Sequence, residues 1–215
     1  MTTIEKNVQG KHIFGNAQVS GYAQVYGKAW VSGNAQVSGD AQVSGNAQVF
    51  EDAWVSGNAW VFEDAWVSGN AQVSGNAQVS GNAQVSGNAQ VSGNAKVFGD
   101  AQVSGDAQVF GGAWVSGNAQ VSGDAQVSGN AQVSGDGLIT KTADYLVLGP
   151  AKSSGSFTTA HKDSKIGIRV NCGCFSGTVK EFSEAIDKTH KDNKEHLEQY
   201  RLFCLLIAFN FGVTE

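Results

Sequence analysis

From Ile13 onward one apolar and polar pattern recurs every six residues. Ile13 is followed by Val19, Val25, Val31 and so on to Val133, then Ile139, which makes twenty Val between two Ile without an insertion or deletion. An Ala stands two residues before each Val, from Ala17 to Ala131, and Gln and Ser fill most positions beside them. This alternation predicts a short strand with Ala and Val inward and Gln and Ser outward. The Gly-Asn and Gly-Asp pairs between strands tolerate positive φ and sharp bends, so each predicts a turn. Three hexads close a triangular coil, and about seven coils stacked at roughly 4.8 Å give a rod of roughly 34 Å.

The aliphatic-x-x-x-small-x pattern over residues 13–140 resembles the hexapeptide-repeat, left-handed β-helix superfamily. The expected fold class is mainly β: a left-handed parallel β-helix followed by a small α+β domain. The expected divisions are an N-terminal cap over 1–12, the β-helix over 13–140 and the α+β domain over 141–215.

Folding the repeat by coil places all five Trp on the outside. One face carries His12, Phe14, Trp30, Phe50 and Trp66. A second is nearly plain, with Trp54 and Phe110, and the third carries Tyr26, Trp60, Phe62, Phe98 and Trp114. Exposed large apolar residues in this number imply contact with a partner. The candidate interface residues are Trp30, Phe50, Trp54, Trp60, Phe62, Trp66, Phe98 and Trp114. The resemblance implies a homotrimer of parallel solenoids as the simplest occupant of those faces.

The same resemblance raises acyl transfer, since many members of the superfamily are acyltransferases with a catalytic His near a subunit interface and a loop extruded between coils. This repeat extrudes no loop, and the only nearby His is His12. Carbonic anhydrases of the superfamily gather several His from neighbouring coils, and none occurs between Ile13 and Ile139. A regular tube offers a general base neither pocket nor orienting partner. The expectation is therefore a protein without enzymatic activity, catalytic residue, metal or cofactor. A net charge of −5 gives no reason to expect DNA or a membrane surface as partner. The absence of an apolar leader and the three Cys (Cys172, Cys174, Cys204) fit a cytoplasmic protein better than a disulfide framework.

After Ile139 the composition changes. Tyr145 to Leu148 reads as a strand ended by Gly149-Pro150, and Ser156 to His161 with Ile166 to Cys172 as a hairpin turning near Asp163-Ser164. Thr178 and Glu181 form a capping box that starts one helix, and Asp192 to Glu195 gives the cue for a second. The second helix repeats Leu197, Tyr200, Cys204, Ile207, Ala208 and Phe211 at helical spacing. Three strands and two helices are expected. Cys172-x-Cys174 is a weak metal cue, and buried reduced thiols are the simpler reading.

Lys152, Ser153, Ser154, Thr158, His161, Lys165 and Arg169 are polar or basic residues of the hairpin region. Lys152, Thr158, His161, Lys165 and Arg169 are the candidate ligands for an anion such as a nucleotide phosphate. Leu148-Gly149-Pro150, the Ser/Thr-rich hairpin through Thr159, Gly173 to Thr178, Glu181-Phe182, Thr189-His190 and Asp192-Asn193 together resemble a module of uncharacterised bacteriophage and prophage proteins. Lys191 stands where that pattern has Gly. The resemblance implies a viral protein in the cytoplasm of a bacterial host, binding a host protein or nucleotide and inhibiting a defence factor. The sequence reading is thus a non-enzymatic scaffold and binding protein. The alternatives are an acyltransferase with an inter-subunit site near His12 and a virion structural protein.

Overall fold

The structure, a computed structural model, describes residues 12–213. The N-terminal cap expected over 1–12 falls, except for His12, outside the described residues. Twenty-one two-residue strands, β1 (Gln18–Val19) to β21 (Leu138–Ile139), wind into three parallel seven-stranded sheets. Strands three apart in sequence pair in register, as Gln18 with Gln36 and Val19 with Val37 show, so one coil is 18 residues. The expected β-solenoid of about seven coils is observed.

The inward residues pack into one continuous core. From Ala23 to Val133 every inward Ala and Val is 0–2% exposed. Ile13, Ala17 and Val19, at the start, are only partly buried because no described coil covers them. At most corners Gly takes the left-handed conformation, and its place is tight as well as twisted. A Cβ at Gly69 would lie 2.9 Å from the nitrogen of Gly87 on the next coil. Glu51 and Glu63 adopt the same conformation (φ 61° and 60°) in place of Gly. Each sends its carboxylate to an amide on the following coil: Gly69 N–H donates to Glu51 Oε2 at 2.5 Å, and Gly81 N–H to Glu63 Oε2 at 2.6 Å. That bond offsets the cost of placing a side chain in the left-handed region, about 1–2 kcal/mol.

Asn side chains stack along the corners. Asn16 donates to Asn34, and Asn34 to Asp52; Asn58 donates to Asn76, and Asn76 to Asn94; Asn70 donates to Asn88, and Asn88 to Asp106. A carboxylate accepts but cannot donate, so a ladder that reaches Asp ends there.

Beyond β21 a 3-10 turn (Thr142–Asp144) leads into an antiparallel sheet of β22 (Tyr145–Leu148), β23 (Thr158–Asp163), β24 (Gly167–Cys172) and β25 (Phe175–Thr178). The sequence predicts three strands here; the fourth, β25, is short, contains Gly177, and pairs residues 175–178 with 169–172. Helix α1 (Val179–His190) starts at the expected capping box, with Thr178 Oγ1 accepting from Glu181 N–H at 3.2 Å and Glu181 Oε2 accepting from Thr178 N–H at 2.8 Å. Helix α2 (Lys194–Phe211) is capped by Asn193 and ends at Gly212 in the left-handed conformation. The helices and one face of the sheet share a second core around Ala160, Val170, Phe182, Ile186, Tyr200 and Ile207. Of the thiols only Cys204 is buried; Cys172 is half-buried and Cys174 exposed, contrary to the expectation for all three, because Cys174 falls at the tip of the β24–β25 turn.

Candidate functional site

The repeat gives the rod a direction. Each outward residue donates its N–H to a carbonyl one coil further along, Gln18 to Ala35 and Ser20 to Val37 at 2.9 Å, and the same step recurs as far as Ser122 to Ile139. The last coil is therefore left with outward backbone donors, beside carbonyls such as those of Gln132 and Asp136, which accept from Asn171 Nδ2 and Ser164 N–H. Five of these donors find side-chain acceptors in the terminal domain. Gln126 N–H donates to Thr142 Oγ1 (3.2 Å), Ser128 N–H to the Tyr145 hydroxyl (3.2 Å), and Gln132 N–H to Thr159 Oγ1 (2.9 Å). Ser134 N–H donates to His161 Nε2 (3.3 Å) and Asp136 N–H to Asp163 Oδ2 (3.2 Å). Thr159, His161 and Asp163 alternate along β23, so one face of that strand meets the open edge while Ala160 faces the second core.

The junction is buried and polar. His161 is 0% exposed, and its Nδ1–H donates to Lys162 O at 2.9 Å, which leaves Nε2 as the acceptor for both Ser134 N–H and Asn171 Nδ2 (3.1 Å). Burial pushes the His161 pKa below 6.5 and keeps the ring neutral, as an acceptor must be. Asn171 also bonds Gln132 O and Ser134 Oγ. Burial works to raise the Asp163 carboxyl, but Arg169 Nε at 2.6 Å and the amides of Lys165 and Ile166 outweigh it and hold it below its ordinary value. Asp144 follows the same balance. Burial opposes its charge, and Lys162 Nζ at 2.7 Å with the Thr140 and Lys141 amides brings its pKa down to about 2.

The five candidate anion ligands are not brought together. His161 and Arg169 lie in the junction just described, and Lys165 pairs with Asp136 at its rim (3.0 Å). Thr158 points the other way, its Oγ1 donating to Cys172 Sγ at 3.2 Å. Lys152 pairs with Glu195 of α2. Among the described residues no group of three or more His, Cys, Asp and Glu gathers as a metal site. The capping roles of Thr142, Tyr145, Thr159, Asp163 and Asn171 were not singled out from sequence. The signal available was the run Thr159-x-His161-x-Asp163, acceptors at strand period directly after a solenoid.

The outward aromatics form the other candidate site. All five Trp are 42–53% exposed, and Phe50, Phe62 and Phe98 are half-buried. A Phe and the Trp sixteen residues later meet edge to face across adjacent coils: Phe14–Trp30, Phe50–Trp66 and Phe98–Trp114, with centroids 5.9, 6.1 and 6.3 Å apart. Lys96 Nζ lies 5.0 Å from the Trp114 ring. Trp60 and Trp114 belong to one sheet and Trp30 and Trp66 to the next, so two adjacent faces share most of the aromatic surface. Trp54 sits on the plain third sheet, its Nε1 donating to Ser38 Oγ at 3.4 Å.

These features describe a parallel β-solenoid of six-residue repeats with a side-chain cap on its last coil. The family model of the YdcK beta solenoid repeat matches residues 23–39, 41–57, 71–87, 77–93, 89–105, 101–117 and 119–135, each stretch close to one coil. No curated protein matches the chain. Among solved structures, a Bacillus cereus protein described as a candidate acetyltransferase aligns over 90% of this chain and 96% of its own, at 9% identity and a TM-score of 0.23. Among the described residues no helix is long and apolar enough to cross a membrane.

Proposed function

We propose that this chain is a non-enzymatic scaffold that associates with copies of itself through the two aromatic faces of its solenoid. The observation that carries the reading is the placement of the paired aromatics on two sheets flanking one corner, with the third sheet nearly plain. A closed ring of parallel rods needs two different faces on each member and leaves the third outside, which supports the homotrimer. Neutral, half-exposed aromatic rings are also the side chains that dominate the centres of interfaces. The buried ionisable groups at the junction are bonded to backbone amides or to one another, which supports a structural role for them.

A narrower form, a phage protein acting on a host defence component or its nucleotide signal, rests on the resemblance of the terminal domain alone. Acyl transfer is the rival from another class, and the repeat architecture favours it as much as it favours a scaffold. One experiment separates the two. Trp60→Gln, Phe62→Ser and Trp114→Gln together restore the commonest residues of the repeat and should leave the coils intact. Light scattering should show this variant with fewer chains per particle than the parent, at an unchanged circular dichroism spectrum. Release of free thiol from acetyl-CoA by the parent, lost in His12→Ala, would overturn the scaffold reading.

A further inference from the structure

Helix α2 buries only one of its two apolar faces. Tyr200, Phe203, Cys204 and Ile207 enter the second core, whereas Leu202, Leu205, Leu206 and Phe209 are 59%, 55%, 49% and 89% exposed. Four large apolar side chains at spacing 0, 3, 4 and 7 form one stripe along a helix. Such a stripe presents on the order of 400 Å², within the range of the largest apolar patch on a monomer and one that is commonly functional.

We infer that this stripe is a twofold interface with α2 of a second copy of the chain, the two helices antiparallel. The spacing is palindromic. About a centre between Leu205 and Leu206, a half-turn brings Leu202 onto the partner's Phe209 and Leu205 onto the partner's Leu206, so the stripe complements itself. The charges agree. The last turn of α2 carries no basic residue, and the same half-turn brings the partner's Arg201 beside Asn210, where a cation complements the carbonyl end of a helix. Two such stripes face to face, with their polar margins, approach the roughly 1,000 Å² of a specific interface. A lipid surface fits less well. The flanking charges are mixed, Lys194 with Glu198 and Arg201 with Asp187, rather than basic. This contact is independent of the aromatic faces, and the two can coexist in one assembly.

Sedimentation of the full chain tests it. The parent should have an even number of chains, and Leu205→Glu should halve that number with an unchanged circular dichroism spectrum, because the side chain is exposed in the single chain. The variant that restores the repeat at residues 60, 62 and 114 should keep a dimer, which separates this proposal from the one above. With Cys174→Ser as background, Leu206→Cys should cross-link to itself on oxidation, and Phe209→Cys should not. Leu205→Glu sedimenting like the parent, or a monomeric or odd-numbered parent, overturns the proposal. Cross-linking through Phe209→Cys alone overturns the antiparallel pairing. A monomer that floats with phosphatidylcholine–phosphatidylserine vesicles assigns the stripe to lipid and overturns it too.

Discussion

His161 Nε2 accepts the backbone amide of Ser134 across the seam between the two parts of the chain. One imidazole, fully buried and held in a single tautomer, thereby occupies the place that a carbonyl of an eighth coil would take. Replacing it leaves that amide without an acceptor and Asn171 Nδ2 with Gln132 O alone. His161→Phe should cost about 1–3 kcal/mol, the price of a buried unsatisfied donor. Chemical denaturation should show this loss, whereas Lys152→Ala, at an exposed ion pair, should stay within about 1 kcal/mol of the parent.

Acid should weaken the same seam in two stages. Burial lowers the His161 pKa from 6.5, so below pH 6.5 the unfolded chain binds a proton that the folded chain refuses, and stability falls as the pH falls. Asp144 and Asp163 are depressed carboxyls, whose contribution is complete above their unfolded value of 3.8 and lost below it, for Asp144 as the pH approaches about 2. Denaturation midpoints between pH 8 and pH 4.5 should decline, and the decline should flatten in His161→Asn. A midpoint that rises on acidification would contradict the neutral, accepting ring.

Removing the terminal domain should change the behaviour of the rod more than its fold. A chain of residues 1–140 keeps the coils and uncovers the donors of Gln126, Ser128, Gln132, Ser134 and Asp136. The uncovered edge, with its unpaired amides and carbonyls, can then pair head to tail with a second rod, a heterologous contact that does not close. Electron microscopy should show filaments or large aggregates of this fragment and none of the full chain under the same conditions.

Gly135 should tolerate no side chain. Its φ is +63°, and a Cβ would fall 2.4 Å from Arg169 Nε. Gly135→Ala should displace Arg169 from Asp163 and lower stability by about 2 kcal/mol or more, combining left-handed strain with a weakened buried pair. Gly129, with the same sign of φ and nothing within 4 Å, should show the backbone cost alone on mutation to Ala.

At Glu63 the strain and the bond can be separated. Glu63→Ala keeps the left-handed backbone and loses the carboxylate on Gly81 N–H, and should destabilise by about 1–2 kcal/mol. Glu63→Gly loses both together and should be close to neutral. Thermal melts of the two variants side by side would decide whether the carboxylate bond carries the offset.

The solenoid was legible because Val and Ala at period six admit one inward face, and the pairing of Gln18 with Gln36 follows from three hexads per coil. The aromatic faces were legible for the same reason, since fixed spacing fixes direction. The terminal domain was less so. β25 is four residues long, and no propensity marks it as a strand apart from its partner β24. His161, Lys165 and Arg169 look like a basic cluster in sequence because Ser134 and Asp136, the partners of the first two, are brought close only by docking onto the last coil, and Asp163, the partner of Arg169, only by the pairing of β23 with β24. Leu202, Leu205, Leu206 and Phe209 could have been read as a second stripe on α2, but spacing alone does not say which of two apolar faces meets the core.

The Asn ladders that stop at Asp have a consequence for how such a chain finds its native winding. Val and Ala satisfy the core equally well if a segment slides by a whole hexad, so burial alone leaves many neighbouring windings almost degenerate. Phe50 lies against Trp66 in the native alignment and would meet Gln72 if the next coil slid by one hexad, and Asp40, Asp52 and Asp64, twelve residues apart, would stack on one another if it slid the other way. They act as index marks on an otherwise unmarked thread, giving the correct turn count an energetic advantage that the repeat itself cannot supply.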